Sequence, residues 1–258
     1  MPLTIPHTWT GVAVTAAGHV ALVTGANRGI GYHVARQLAE AGVMVLLGAR
    51  DPDRGRTAAD ALAAEGLPVR SVRLDVTDEV SVVSAARWIE TEVGRLDVLV
   101  NNAGVAEGFE SPSEANLARV RATYEVNVFG VIAVTNAMLP LLRRAPAPQV
   151  VNVTSTLGSM HLLADPDARW AGLTPLAYRS SKAALNATTV LYATELRTAG
   201  IRVNAVCPGL RATGFGGGDP PPGAGDPAEG ARGVVRLVLA EDVGTGGFFD
   251  HDGVTHPW

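Results

Sequence analysis

The chain has 258 residues, 47% of them apolar, and a formal net charge of −4; it can bury one large core and lacks the basic excess of a nucleic-acid-binding surface. A single cysteine, Cys207, excludes an intrachain disulfide and suits a reducing compartment, so a cytoplasmic location is expected. Residues 1–18 hold no Lys or Arg and no continuous apolar stretch, which reads as a loosely held extension rather than a signal peptide; the longest apolar run, 43–49, is too short to span a bilayer.

Beyond the extension, short apolar runs at 19–24, 43–49, 69–74, 96–100, 149–153 and 201–206 read as strands. Helical patterns alternate with them at 31–41, 54–65, 80–93, 113–144 and 176–199. The strands are almost continuously apolar, as expected of parallel strands covered on both faces. The alternation predicts an α/β fold, a doubly wound parallel sheet with helices on both faces, in a single domain over 19–258. Residues 214–225 are so rich in glycine and proline that no helix or interior strand tolerates them, and a mobile loop is expected over about 214–227.

The first strand ends in Thr24-Gly25-Ala26-Asn27-Arg28-Gly29-Ile30-Gly31, with three glycines between a strand and a helix. Such a turn lets the backbone approach a pyrophosphate, whose charge is favoured by the amides and dipole of the helix start; a tight strand-to-helix connection would use the same residues. The second strand ends in Gly48-Ala49-Arg50, followed by Asp51. A positive side chain there accommodates a 2′-phosphate on the adenosine ribose, where an acidic one would accept from a 2′-hydroxyl. Arg28 adds a second guanidinium on that side, so NADP(H) is the expected cofactor.

Lys182 is the only lysine among 21 basic residues, and it follows Tyr178 by four positions. Codon bias alone could leave one lysine, but on a helix this spacing stacks the two side chains on one face. A compact ammonium with rotatable donors does what the planar guanidinium fork cannot. At ~5 Å and an effective dielectric near ~20 the ammonium is worth roughly 3 kcal/mol, or about two pKa units in favour of the phenolate. Tyr178 is therefore expected to be acidified from its free value of ~10 into a range useful for acid–base catalysis.

The glycine turn, Asn101-Asn102-Ala103-Gly104 after the fourth strand, Tyr178-x-x-x-Lys182, and Pro208-Gly209 after the sixth strand together resemble the short-chain dehydrogenase/reductase family, most of all its carbonyl-reductase-type members. The resemblance runs from His19 to Trp258 and implies a Rossmann-type domain. It implies that Gly25, Asn27, Arg28, Gly29, Ile30, Gly31 and Arg50 bind the cofactor, that Asp75 and Val76 meet its adenine, and that Asn101, Asn102, Ala103 and Gly104 form its floor. Pro208, Gly209 and Thr213 would lie beside it as well. Ser155 would bind the substrate oxygen, Tyr178 would serve as general acid and base, and Lys182 would also hold the nicotinamide ribose. Asn127 would bend its helix to support a proton relay. The implied activity is NADPH-dependent, reversible reduction of a ketone or aldehyde, in a homodimer or homotetramer with no nucleic-acid, membrane or metal partner. A redox-neutral epimerase, dehydratase or cyclase, or a non-catalytic NADP-binding sensor, would use the same scaffold.

Two stretches depart from the family pattern. Ser155 and Tyr178 are 23 positions apart, which implies an insertion over 159–175. Its Met160, His161, Leu162, Leu163 and Trp170 either line an apolar substrate pocket or pack on one another at the surface. Arg211 stands where relatives usually carry Val or Ile, and is expected to meet an acidic group of the substrate or to point to solvent. Ser155 has no G-x-S-x-G elbow and the six histidines have no metal-ligand spacing, so neither a hydrolase triad nor a metal is expected. Cys207 reads as a small apolar side chain at a strand end.

Overall fold

The apolar runs assemble into a seven-stranded sheet in the computed structural model, which describes residues 18–216, 219–240 and 242–258. The strands are β1 (Val20–Val23), β2 (Met44–Ala49), β3 (Val69–Arg73), β4 (Val98–Asn101), β5 (Gln149–Val153), β6 (Arg202–Cys207) and β7 (Phe248–Asp250). They lie in the order β3-β2-β1-β4-β5-β6-β7, every neighbouring pair parallel. The order reverses between β1 and β4, so the two loops leaving these strands flank the crevice where such sheets bind ligands. Those loops carry the glycine turn and Asn102-Ala103-Gly104. The extension expected over 1–18 lies outside the described residues except for Gly18.

Alternate residues of one strand serve opposite faces, which is why the strands need apolar residues at every position. Ala21 and Val23 of β1 pack with helices α1 (Gly29–Glu40), α2 (Pro52–Ala64) and α8 (Pro227–Leu239) through Val34, Leu38, Leu62 and Leu237. Val20 and Leu22 face the other way, toward α3 (Glu79–Glu92), α5 (Gly130–Leu142) and the end of α7 (Leu176–Glu195), among Ile89, Val134, Met138 and Ala193. Cys207 is buried with Ala205 and Phe248. Side chains cap several helix starts: Asp51 accepts from the amides of Asp53 and Arg54, and Asp226 from that of Ala228.

The helix expected over 113–144 is three pieces. After a short 3₁₀ turn, α4 (Leu117–Tyr124) runs into a π turn at Glu125–Phe129 and then α5. Extra residues in a helix turn are a recurrent mark of functional sites, and Asn127 is at the centre of this one. By length and composition Leu117–Leu142 could cross a membrane, but half of its most apolar window is buried in this fold. Sequence periodicity missed β7 and α8. The strand has three residues, and α8 carries Gly230 and Gly233, which break the apolar pattern. Gly233 is needed because a Cβ there would run into the backbone of His251. A short helix, α6 (Met160–Ala164), also forms within the insertion.

Candidate functional site

Gly25 and Gly29 hold the turn after β1 with φ of +63° and +58°, a region open to glycine at no steric cost. The Gly25 backbone is pressed on the loop after β4: a Cβ there would lie 2.9 Å from Ala103 Cα. Asn102, expected in the cofactor floor, clamps the two loops. Its Nδ2 donates to the carbonyls of Thr24 (2.9 Å) and Gly25 (3.2 Å), while the amides of Asn102 and Ala103 both donate to Thr24 Oγ1 at 3.0 Å. A Cβ on Gly31 would strike that Asn102 amide. The N-cap of α1 is Arg28, which offers no side-chain acceptor, and the first turn has no carboxylate. The leading amides of α1 are thus open to an anion.

Arg28 and Arg50 are exposed, and among the described residues neither is in an ion pair. Asp51 does not neutralise Arg50, because its carboxylate caps α2 and pairs with Arg54 at 3.4 Å. Asp75 opens the turn into α3, its Oδ1 accepting from the amide and hydroxyl of Thr77 at 3.0 and 2.8 Å. Val76 packs so closely on Gly130 that a Cβ there would lie 2.8 Å from Val76 Cγ2. Ile30 packs against the core, and Asn27 is partly exposed in the turn.

Asn101 does not present its side chain to the crevice. It is buried, and its Nδ2 donates to Asn152 Oδ1 (2.9 Å) and Thr135 Oγ1 (3.1 Å). Asn152 Nδ2 in turn reaches Thr189 Oγ1 at 2.9 Å, and Thr154 Oγ1 donates to Asn186 Oδ1 at 2.6 Å. These bonds fasten one face of α7 across the ends of β4 and β5. The same face carries Lys182, whose Nζ donates to the carbonyl of Val153 at 2.9 Å.

Around Lys182 the sequence candidates converge. Nζ lies 5.8 Å from the centre of the Tyr178 ring. A Cβ on Gly104 would lie 3.7 Å from Nζ and 3.3 Å from Asn127 Oδ1, so the glycine leaves room beside both. The Asn127 amide pairs with the backbone of Val105, accepting from its N–H and donating to its carbonyl, both at 2.9 Å, and also donates to Ser181 Oγ at 3.0 Å. It therefore holds the loop after β4 against α7. Ser155, just past β5, accepts from the amide of Leu157 at 3.2 Å, and its hydroxyl lies close enough to the Tyr178 phenol to favour the ionised form.

In these surroundings burial opposes the expected acidification of Tyr178. Burial pushes the phenol well above its usual range, with Cys207 adding to the rise and Ser155 opposing it. Burial also lowers the Lys182 ammonium from 10.5 to about 8. Burial thus acts against the charged form of both groups, the phenolate of Tyr178 and the ammonium of Lys182. Lys182 is 4% exposed and, among the described residues, has no carboxylate partner.

Arg211 meets neither expected partner. Its side chain is 7% exposed; Nε donates to the carbonyl of Pro208 (2.7 Å) and Nη1 pairs with Glu229 of α8 (2.8 Å), tying the glycine-rich loop to that helix. Gly209 has φ +77° beside Arg211 and His251. Thr213 comes down on the glycine turn, its Cβ 3.3 Å from where a Gly29 Cβ would stand, and the next turn sets Phe215 edge-on to Tyr178 with ring centres 5.6 Å apart. Asp250, His251 and Asp252 bring possible ligand atoms within 4.8 Å of one another. Asp250 is engaged by the amides of Asp252 and Val254 and by His256, as the C-terminal turn requires.

The short chain dehydrogenase family profile matches residues 19–219. The chain is 33% identical to salutaridine reductase of Papaver bracteatum, across 96% of this chain and 97% of that protein. It is 32% identical to (+)-neomenthol dehydrogenase of Arabidopsis thaliana, across 91% and 97%. Among solved structures, the NADPH-bound carbonyl reductase from chicken fatty liver superimposes with a TM-score of 0.83 at 29% identity, covering 94% of this chain and all of that one.

A buried, unpaired ammonium destabilises a fold unless it serves something else. Lys182→Met, which keeps the volume and removes the charge, is expected to raise stability by on the order of 1 kcal/mol in a denaturant titration while abolishing turnover.

Proposed function

The chain belongs to the short-chain dehydrogenase family, and from that premise we propose that it is an NADP(H)-dependent reductase converting the ketone or aldehyde carbonyl of an apolar small molecule to an alcohol, reversibly. The observation that carries this reading is the chain's sole lysine, buried without a counter-charge among the described residues, on the same helix face as Tyr178 and beside Ser155 and Asn127.

The residues present fit the nucleotide. Gly25, Gly29 and Gly31 with the open amides of α1 would hold its pyrophosphate, and Arg28 and Arg50, free of carboxylates among the described residues, would take the 2′-phosphate. Asp75 and Val76 would meet the adenine, Ala103 and Gly104 would form the floor, and Pro208, Gly209 and Thr213 would lie alongside. Lys182 spends one of its three donors on Val153, which leaves two for the ribose. When bound, the reduced nicotinamide supplies a hydride.

The protein's own work is on oxygen. Ser155 Oγ donates to the carbonyl oxygen and orients it. Tyr178 Oη, kept protonated by burial, gives its proton to that oxygen as negative charge develops there. The phenolate left behind is stabilised by Lys182, worth about 3 kcal/mol at ~6 Å and an effective dielectric near ~20. Lys182 thus acts on the product of proton transfer rather than on the resting phenol. Phe215 is edge-on to Tyr178, Phe109 lies beside Gly216 in the same loop, and Met160 and Trp170 of the insertion are also exposed, which supports an apolar substrate.

Tyr178→Phe is expected to bind NADPH within about twofold of the parent and to lose at least ~10³ in kcat with a ketone panel followed by NADPH absorbance; near-parental turnover would remove Tyr178 as the acid. Substrate conversion without NADPH consumption would replace the reductase reading with a redox-neutral one. Arg50→Asp should weaken NADPH at least ~10-fold more than NADH in a binding titration, and an equal loss would remove the phosphate contact. Because the Lys182 ammonium is present below about 8 and lost above it, kcat/KM for reduction should be level below that pH and fall as the pH rises through it. A profile level to pH 10 would contradict the role given to Lys182.

A further inference from the structure

Arg179, immediately after Tyr178, is 5% exposed although it occupies the first turn of α7. A cation there opposes the positive end of the helix dipole, and burial adds a desolvation cost. No carboxylate pairs with it among the described residues. Instead its guanidinium is satisfied by three backbone carbonyls. Nε donates to Leu157 at 3.0 Å, and Nη1 donates to Trp170 at 3.0 Å and to Leu173. Leu157 lies two residues past Ser155, while Trp170 and Leu173 lie on the limb returning from the insertion to α7. One side chain thus joins the outgoing and returning roots of the insertion beside the reacting tyrosine. Its planar fork reaches carbonyls in two directions, which a lysine cannot match.

The far side of the insertion is fastened separately. Ser159 Oγ donates to the carbonyl of Pro257 at 2.8 Å, and the amide of His161 to that of Trp258 at 3.0 Å. Trp258 stacks on buried Phe248, with ring centres 5.3 Å apart. The outgoing limb is thus tied to the C-terminus, whereas the returning limb, with exposed Trp170 and Leu173, is held by Arg179 and, where it enters α7, by the bond from the Leu176 amide to the carbonyl of Glu110.

We infer that Arg179 is a positioning residue that fixes the returning limb of the insertion as a wall of the substrate site, so that the enzyme selects large apolar carbonyl compounds over small ones. The selectivity claim rests on the reductase reading; the positioning claim does not. Arg179→Gln and Arg179→Lys, made in the full chain, separate the two. With menthone as the large ketone and 2,3-butanedione as the small one, both variants should lose at least about tenfold in kcat/KM for menthone, mainly through KM, and stay within about threefold for butanedione. NADPH affinity should stay within about twofold. Amide hydrogen exchange should quicken at 168–174 and remain unchanged in β5 and in α7 beyond Lys182. Equal loss for both ketones, or restoration of menthone selectivity by Arg179→Lys, would overturn the wall. Unchanged exchange at 168–174 would overturn the positioning role even if neither ketone is reduced by the parent. Arg179→Lys carries the test should Arg179→Gln fail to fold.

Discussion

One buried ammonium, that of Lys182, without a carboxylate partner among the described residues, organises this site. Taking an ammonium out of water is expensive, and one carbonyl, that of Val153, returns little of the cost. The neighbourhood is built to tolerate it. Gly158 lies flat on Lys182, since a Cβ there would be 2.7 Å from the lysine Cβ, and this brings the chain leaving Ser155 against α7. The Asn152–Thr189 and Thr154–Asn186 bonds fix the same helix to the ends of the central strands. Ser155, Tyr178 and Lys182 are therefore set by one helix and one strand end, with Asn127 bracing the opposite loop from its π turn. Rigid elements hold the reacting groups, as a preorganised site requires.

Burial decides the electrostatics. The expectation of a lysine-acidified tyrosine treated the ammonium as a fixed charge in a medium of uniform dielectric. In the folded chain the same desolvation acts on both groups in opposite directions, raising the phenol and lowering the amine. In the proposed reduction a protonated phenol would be the reactive form, and the Coulombic attraction to Lys182 would return once Tyr178 had given up its proton.

The strands β1 to β6, most helices and the convergence on Tyr178 were legible in the sequence because each rests on a periodic or closely spaced pattern. Lys182 stood out by being alone, and its i, i+4 spacing placed it correctly. What escaped depends on contacts between distant segments. Asn101 and Asn102 are indistinguishable in sequence, yet one turns into the core toward Asn152 and the other clamps the glycine turn, because successive residues at a strand end point to opposite sides. Arg211 looked free for a substrate, but Glu229 of α8 lies 18 positions away in a helix that its own glycines concealed. Arg179 gave no sign at all, since its partners are backbone carbonyls.

The central claim is that Lys182 is a buried ammonium held near neutrality by desolvation, and the chain offers a direct way to examine it. Protein grown with lysine labelled at the side-chain nitrogen gives one lysine signal, which needs no assignment because no other lysine exists. A titration by nuclear magnetic resonance should place its midpoint at about 8, below the ordinary lysine value of 10.5. A midpoint at the ordinary lysine value would show a solvated ammonium and contradict the account.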